Sequence, residues 1–188
     1  MLKIKGEEMI NAGKYCLECS QRQKTCCQDA RVPMTIREMT NLIVERHKVF
    51  IDLFYAGEYP EDDIKDFEPW WRESILEKDG KFYRANTRRV DGNCIFLKPG
   101  KGCTIKPRPH ICRIFPFWIN TSDEIIYEPG DKICDFEREG IKPVDALALI
   151  GETPESIRSL FKLIKNDSEK NRASHQALTK TLLRLEDK

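Results

Sequence analysis

The chain has 188 residues, enough for one domain with its own core and too few for two large ones. Its 32 Lys and Arg against 31 Asp and Glu leave a formal charge of +1, so no global field draws it to nucleic acid or to an anionic membrane. No long apolar run is present and the start, Met1-Leu2-Lys3-Ile4-Lys5-Gly6-Glu7-Glu8, lacks an apolar signal core, so the expectation is a cytoplasmic protein without a membrane span.

In chain order, Glu7 to Tyr15 reads as a short helix interrupted at Gly13. Cys16-Leu17-Glu18-Cys19 follows, and two cysteines at this spacing can chelate one ion through a single turn, as in zinc knuckles and iron–sulfur loops. The polar stretch Ser20 to Asp29, with Arg22 and Lys24, reads as a ligand-bearing loop ordered by what it binds. It carries the adjacent Cys26 and Cys27. Neighbouring side chains of an extended segment point apart, so this pair suits two sites or one polynuclear cluster.

After Pro33 the signals turn helical. Thr35 and Glu38 make a capping box ahead of Ile36, Met39, Leu42 and Ile43, which predicts a helix from about 36 to 48. Val49 to Tyr55 is apolar and aromatic and is assigned to a second helix, ended by Gly57 and Pro60. Glu61 to Phe67 and Pro69 to Lys78 read as two more short helices, with Asp79-Gly80 a turn. Lys81 to Ala85 and Arg89-Val90 then read as strands leading through Asp91-Gly92-Asn93 to Cys94.

The segment Cys94 to Phe117 is dense in turn residues and places Cys94, Cys103 and Cys112 at even intervals. Cys94 to Leu97 and Cys103 to Ile105 are expected to pair about a turn at Lys98 to Gly102, which brings two sulfurs to one end of a hairpin. Pro107 and Pro109 stiffen the approach to a helical turn at Ile111 to Phe115, stopped by Pro116, which presents Cys112. Phe117 to Thr121 and Glu124 to Glu128 make a further strand pair, so a meander of four to five strands is expected in the middle of the chain. Pro129-Gly130-Asp131 turns toward Cys134.

From Lys142 the pattern is helical again. Val144 to Ile150 suits a short helix. Thr153-Pro154 opens a longer one with Ile157, Leu160, Phe161 and Ile164 on one face. A polar interval at Asn166 to Arg172 precedes the stripe Leu178, Leu182, Leu185, which suits either a helical hairpin or one long helix. The expected fold is α+β: helices around a small antiparallel sheet with cysteine-bearing loops, residues 1–140, followed by a helical segment, 141–188, packed on it or used to bind a protein partner.

The arrangement Cys16-x-x-Cys19, Cys26-Cys27, Cys94-Ile-Phe-Leu, Cys103-Thr-Ile, Arg108-Pro109-x-x-Cys112-Arg113-x-Phe115-Pro116-Phe117 and Cys134 resembles the YkgJ-type cysteine-cluster family, a zinc- or iron-chelating domain with eight cysteines that includes flagellin lysine N-methylase. The resemblance spans roughly residues 16 to 135, and its most specific part is the Arg-Pro-x-x-Cys-Arg-x-Phe-Pro block. Two features depart from the family pattern: Ser20 to Thr25 lengthen the gap before the adjacent pair, and Cys134 is followed by Asp135-Phe136 where the family has Pro-Gly. The resemblance implies metal binding and, as an alternative, S-adenosylmethionine-dependent lysine methylation.

The residues themselves support the first of these. Eight cysteines in a reducing compartment read as ligands more readily than as four disulfides, and four of the eight lie between Cys16 and Cys27. The predicted ligands are Cys16, Cys19, Cys26, Cys27, Cys94, Cys103, Cys112 and Cys134. Their spacing leaves a zinc ion and an iron–sulfur cluster equally open. Arg108, His110 and Arg113 surround Cys112 in sequence and are expected to stabilise thiolate charge. Trp70, Trp71, Phe115, Phe117 and Trp118 are expected either to shield the centre or to form core. His47 and His175 are assigned to helix surfaces. No G-x-G-x-x-G, Walker loop, G-x-S-x-G, H-E-x-x-H or radical S-adenosylmethionine spacing occurs. The role is therefore read as structural or redox metal binding, with a methylase or a metal-stabilised adaptor as alternatives.

Overall fold

The computed structural model describes residues 17–19, 21, 26–98, 101–129, 136 and 139–186. Cys16, Cys134, the helix expected at 7–15, the loop residues 20 and 22–25 and the turn residues 99–100 and 130–131 lie outside the described residues.

A single helical turn, α1 (Cys26–Asp29), is followed by α2 (Ile36–Arg46). The predicted capping box is present: Thr35 Oγ1 accepts from the Glu38 amide at 3.2 Å, and Glu38 Oε2 accepts from the Thr35 amide at 2.9 Å. Met39 and Leu42 are buried, and the helix ends at His47, which is exposed and left-handed at φ 49°.

The next stretch departs from expectation. Helix α3 (Phe50–Leu53) lasts one turn, and the chain then becomes strand β1 (Phe54–Tyr59), where a helix to Tyr55 was expected. A uniformly apolar run carries no period that separates the two states, and here pairing with a later strand decides. Gly57 shows how close that pairing is, because a Cβ there would stand 2.5 Å from Asn86 Nδ2.

Two short helices follow, α4 (Glu61–Asp66) and α5 (Pro69–Arg72). The helix expected to reach Lys78 stops at Arg72, and β2 (Leu76–Lys78) pairs instead with β3 (Lys81–Thr87). The two-residue Asp79-Gly80 turn, with φ of 53° and 73°, explains the switch, since both central positions of this hairpin need positive φ. β3 is the centre of an antiparallel sheet ordered β1-β3-β2.

The rest of the β structure is not the expected meander. It consists of three separate two-stranded ladders: β4 (Arg89–Val90) with β5 (Asn93–Cys94), β6 (Leu97–Lys98) with β7 (Gly102–Cys103), and, beyond helix α6 (His110–Ile114), β8 (Phe117–Ile119) with β9 (Ile125–Tyr127). The result is an α+β arrangement completed by α7 (Pro143–Ile150), α8 (Pro154–Lys170) and α9 (Arg172–Glu186).

The polar interval at 166–172 is not a loop. Helix α8 runs through it to Lys170, and only Asn171 separates α8 from α9. The face Ile157, Leu160, Phe161 and Ile164 packs on α5, α6 and β8, where Trp70 stacks on Trp118 at 6.1 Å and Phe161 meets Trp118 edge-on at 4.9 Å. Helix α9 lies on the three-stranded sheet, burying Leu182 with Phe54, Ala85, Met39 and Leu42 in a second core. The Leu178–Leu182 stripe is thus spent on packing within the chain, and Leu185 remains 42% exposed.

A buried polar group joins these layers. Arg84 on β3 lies 4.1 Å over the Trp71 ring, donates to Ser74 Oγ, and reaches Ser168 Oγ on α8 at 3.1 Å. Burial draws its pKa down to about 10. His175, expected on a helix surface, is only 1% exposed and meets Asp167 across the α8–α9 junction at 2.7 Å.

Candidate metal centre

Four separate stretches deliver cysteines to one place. Helix α1 carries Cys26 and Cys27 on its first turn. It is tied to the β4–β5 hairpin by Gln28, whose side chain donates to Asn93 Oδ1 at 3.1 Å, and by Arg89, whose guanidinium donates to the Ala30 carbonyl. That hairpin turns on Asp91-Gly92, both at positive φ, and ends with Cys94 opposite Arg89.

Cys103 enters on β7, opposite Leu97 rather than opposite Cys94. The expected hairpin is therefore displaced. Cys94 belongs to the preceding ladder, and the two sulfurs meet because the ladders follow one another, held by Ile95 N–H to Arg88 O at 2.9 Å and Thr104 N–H to Phe96 O at 2.8 Å. Cys112 sits mid-way along α6, whose next buried residue, Ile114, belongs to the aromatic core.

Cys19, Cys26, Cys27, Cys94, Cys103 and Cys112 all line a single cavity of about 100 Å³. All six are half-buried, and none of them is in a disulfide. The rest of the wall is mostly apolar, with Val32, Phe96, Ile105, Ile111 and Phe115 prominent. Among the described residues no three Cys, His, Asp or Glu side chains already stand at the spacing of a bound ion, so the sulfurs form a rim around the space.

The electrostatics of the rim are uneven. Cys27 is drawn down to about 7, chiefly by a hydrogen bond from Cys26 working against burial, with Arg108 and Arg89 adding favourable charge. Cys94, Cys103 and Cys112 are pushed up by burial, Cys112 most strongly, and each is pushed further by its sulfur neighbours. Thr87 Oγ1, 3.6 Å from Cys94 Sγ, partly offsets this. Soft donors crowded in a mostly apolar pocket, where burial and neighbouring sulfurs disfavour three of the thiolates, are what a thiophilic cation satisfies, since a coordinated thiol is deprotonated outright. The donor set fits either zinc or an iron–sulfur cluster; Cys27, Cys94, Cys103 and Cys112 are the ones that sense one another's charge.

Of the three residues expected around Cys112, the structure brings one to the cavity. Arg108 lines it and also donates to the Ile150 carbonyl at 3.3 Å. His110 turns to the other side, its amide donating to Glu38 Oε1 at 2.7 Å. Arg113 grips Glu152 with two hydrogen bonds, at 2.7 and 3.1 Å, and so anchors α6 to the start of α8. Two cations not singled out from the sequence are Arg31, which lines the cavity, and Arg89, which adds favourable charge at Cys27; for Arg89, its place opposite Cys94 across an Asp-Gly turn was the available signal. Of the aromatic residues considered as shields, Phe115 lines the cavity, whereas Trp70, Trp71, Phe117 and Trp118 belong to the aromatic core.

A family model described as "Putative zinc- or iron-chelating domain", CxxCxxCC, matches residues 15–135. The chain belongs to the CxxCxxCC family. The matched region begins just before Cys16 and ends just after Cys134, so it contains every cysteine of the chain. No curated protein and no solved structure matches it. No described helix is long and apolar enough to cross a membrane.

Proposed function

We propose that this CxxCxxCC protein holds a zinc ion or an iron–sulfur cluster through its cysteines, and that the bound centre is a structural cross-link between its two cores. The observation that carries the reading is the single cavity rimmed by six cysteines from four stretches of chain. Cys27, Cys94, Cys103 and Cys112 supply one four-sulfur set, and Cys16, Cys19, Cys26 and Cys134 are the remaining donors for a second ion or a polynuclear centre.

The structural role is supported by how short the strand pairing is at this end. The ladders that carry Cys94 and Cys103 are two residues long on each side, and isolated two-stranded hairpins are marginal even when much longer. Binding a structural zinc is worth on the order of 10 kcal/mol, which is the scale of a domain's whole stability. Metal loading and ordering of residues 88–112 are therefore one process.

The test is anaerobic purification followed by elemental analysis and an optical spectrum. Colourless protein with stoichiometric zinc supports a zinc site; brown protein with iron and acid-labile sulfide supports a cluster. Protein that is folded, metal-free and indifferent to added metal would overturn the reading.

A further inference from the structure

A second and larger space lies on the opposite side of the 105–110 segment from the cysteines. It is a groove of about 590 Å³ between α2 and the end of α8, with Ile105 to His110 as its floor. That volume falls among small-molecule sites, which run from about 300 to 1,000 Å³. Ile105, Arg108 and Pro109 face both spaces, so one layer of side chains separates the groove from the sulfur-lined cavity.

The groove's acids are already committed. Glu38 accepts from the Thr35 amide and hydroxyl and from the His110 amide. Asp167 accepts from the Ile36 amide and from Asn171, and meets His175. Glu45 pairs with Arg46 at 3.6 Å. The cations are not committed in the same way. Arg37 from α2, Lys106 from the floor and Lys170 from α8 all line the groove, and among the described residues none of the three side chains makes a hydrogen bond or an ion pair. They line it from three different elements, α2, the 105–110 floor and α8.

We infer that this groove binds a small organic ligand carrying two or more negative charges, of phosphate or dicarboxylate chemistry, with Arg37, Lys106 and Lys170 as its recognition residues. Glu38 and Asp167, held by backbone amides and, for Asp167, by a buried histidine, cannot swing over to neutralise those cations, which leaves the exposed Glu45 as the groove's one loosely held acid. The site does not depend on the identity of the metal. It stands even if the cysteine cavity holds nothing, and its test reads neither metal content nor colour.

The test is calorimetric titration of the full chain, as purified, with inorganic phosphate and separately with succinate, at low ionic strength. At least one of the two is expected to bind saturably with one-to-one stoichiometry, and which one distinguishes phosphate from dicarboxylate. The Lys106→Ala/Lys170→Ala variant should weaken that binding about tenfold, as expected for the loss of two exposed ion pairs, while Lys162→Ala, an exposed lysine of α8 outside the groove, leaves it unchanged. Both variants alter exposed side chains only, and a circular dichroism spectrum identical to that of the parent secures the comparison. Absence of saturable binding to either anion, or equal weakening by Lys162→Ala, overturns the inference.

Discussion

The two ends of this molecule are built on opposite principles. At one end Trp70, Trp71, Trp118 and Phe161 interlock beneath a helix of 17 residues, and the packing itself holds the geometry. At the other, ladders two residues long surround a cavity lined with sulfur, and Phe96 and Ile105 tie that end to the second core. The contrast teaches that a ring cluster can specify its own structure through packing, whereas on the reading proposed above the cysteine end takes part of its stability from what it binds. Helix α6 joins them, with Ile114 in the aromatic core and Cys112 on the cavity.

The largest effect is expected from breaking the cysteine end. Cys112→Ser should abolish stoichiometric metal and remove hydrogen-exchange protection from residues 93–104, while amides of α8 around Ile157 to Ile164 keep theirs. Equal loss of protection at both ends would show that the two are not separable. Next comes Phe161→Ala, which removes a ring from the aromatic core at a cost of about 3–5 kcal/mol. Denaturant unfolding should show that loss, yet metal content per folded molecule should not change. If metal is lost with the ring, packing and not ligation holds the cavity.

A smaller effect tests the joint between the ends. Arg113→Ala leaves Glu152, only 9% exposed, without its bidentate partner and should cost about 2 kcal/mol. Because Arg113 faces away from the sulfurs, metal affinity should fall far less than stability. Equal losses would place Arg113 among the residues that act on the thiolates directly.

The smallest effect lies at the buried His175–Asp167 pair. Burial holds the His175 pKa below its ordinary value, with Arg84 adding to the effect, and outweighs the hydrogen bond and charge of Asp167. The folded protein therefore refuses a proton that the unfolded chain accepts, and stability falls as pH drops below the ordinary histidine range. For Asp167 burial is outweighed by hydrogen bonds from His175, the Ile36 amide and Asn171, which leave its pKa lowered. Its contribution is present above the ordinary carboxylate range and is lost only as pH falls below it. Unfolding curves between pH 7 and 5 should show a decline that His175→Gln flattens; an unchanged slope in the variant would place the titration elsewhere.

What could be read from the sequence follows the same division. The capping box at Thr35, the face Ile157–Leu160–Phe161–Ile164 and the Asp79-Gly80 turn are local signals, and each is realised because short-range periodicity and turn chemistry suffice to fix it. The family resemblance reached the metal chemistry through the cysteine spacing and the Arg108-Pro109-x-x-Cys112 block. What failed was largely non-local. Phe54 to Tyr59 became a strand because it pairs with β3, and nothing within the stretch announces that partner, whereas Leu76 to Lys78 pairs locally across the Asp79-Gly80 turn, a hairpin signal that the helix assignment overrode. His175 looked like a surface residue because its helix is polar around it, and only the return of α9 against Asp167 buries it. Arg89 had a local signal in its place opposite Cys94, but its approach to helix α1 through the Ala30 carbonyl, a separation of 59 residues, is one that periodicity cannot see.

The most direct measurement is X-ray absorption at the metal edge of protein purified without oxygen. Ligation by the cysteines predicts a first coordination sphere of sulfur alone, at about 2.3 Å for zinc or with an added iron–iron distance for a cluster. A sphere dominated by nitrogen or oxygen, or cysteines recovered pairwise as disulfides from protein that never held metal, would contradict it.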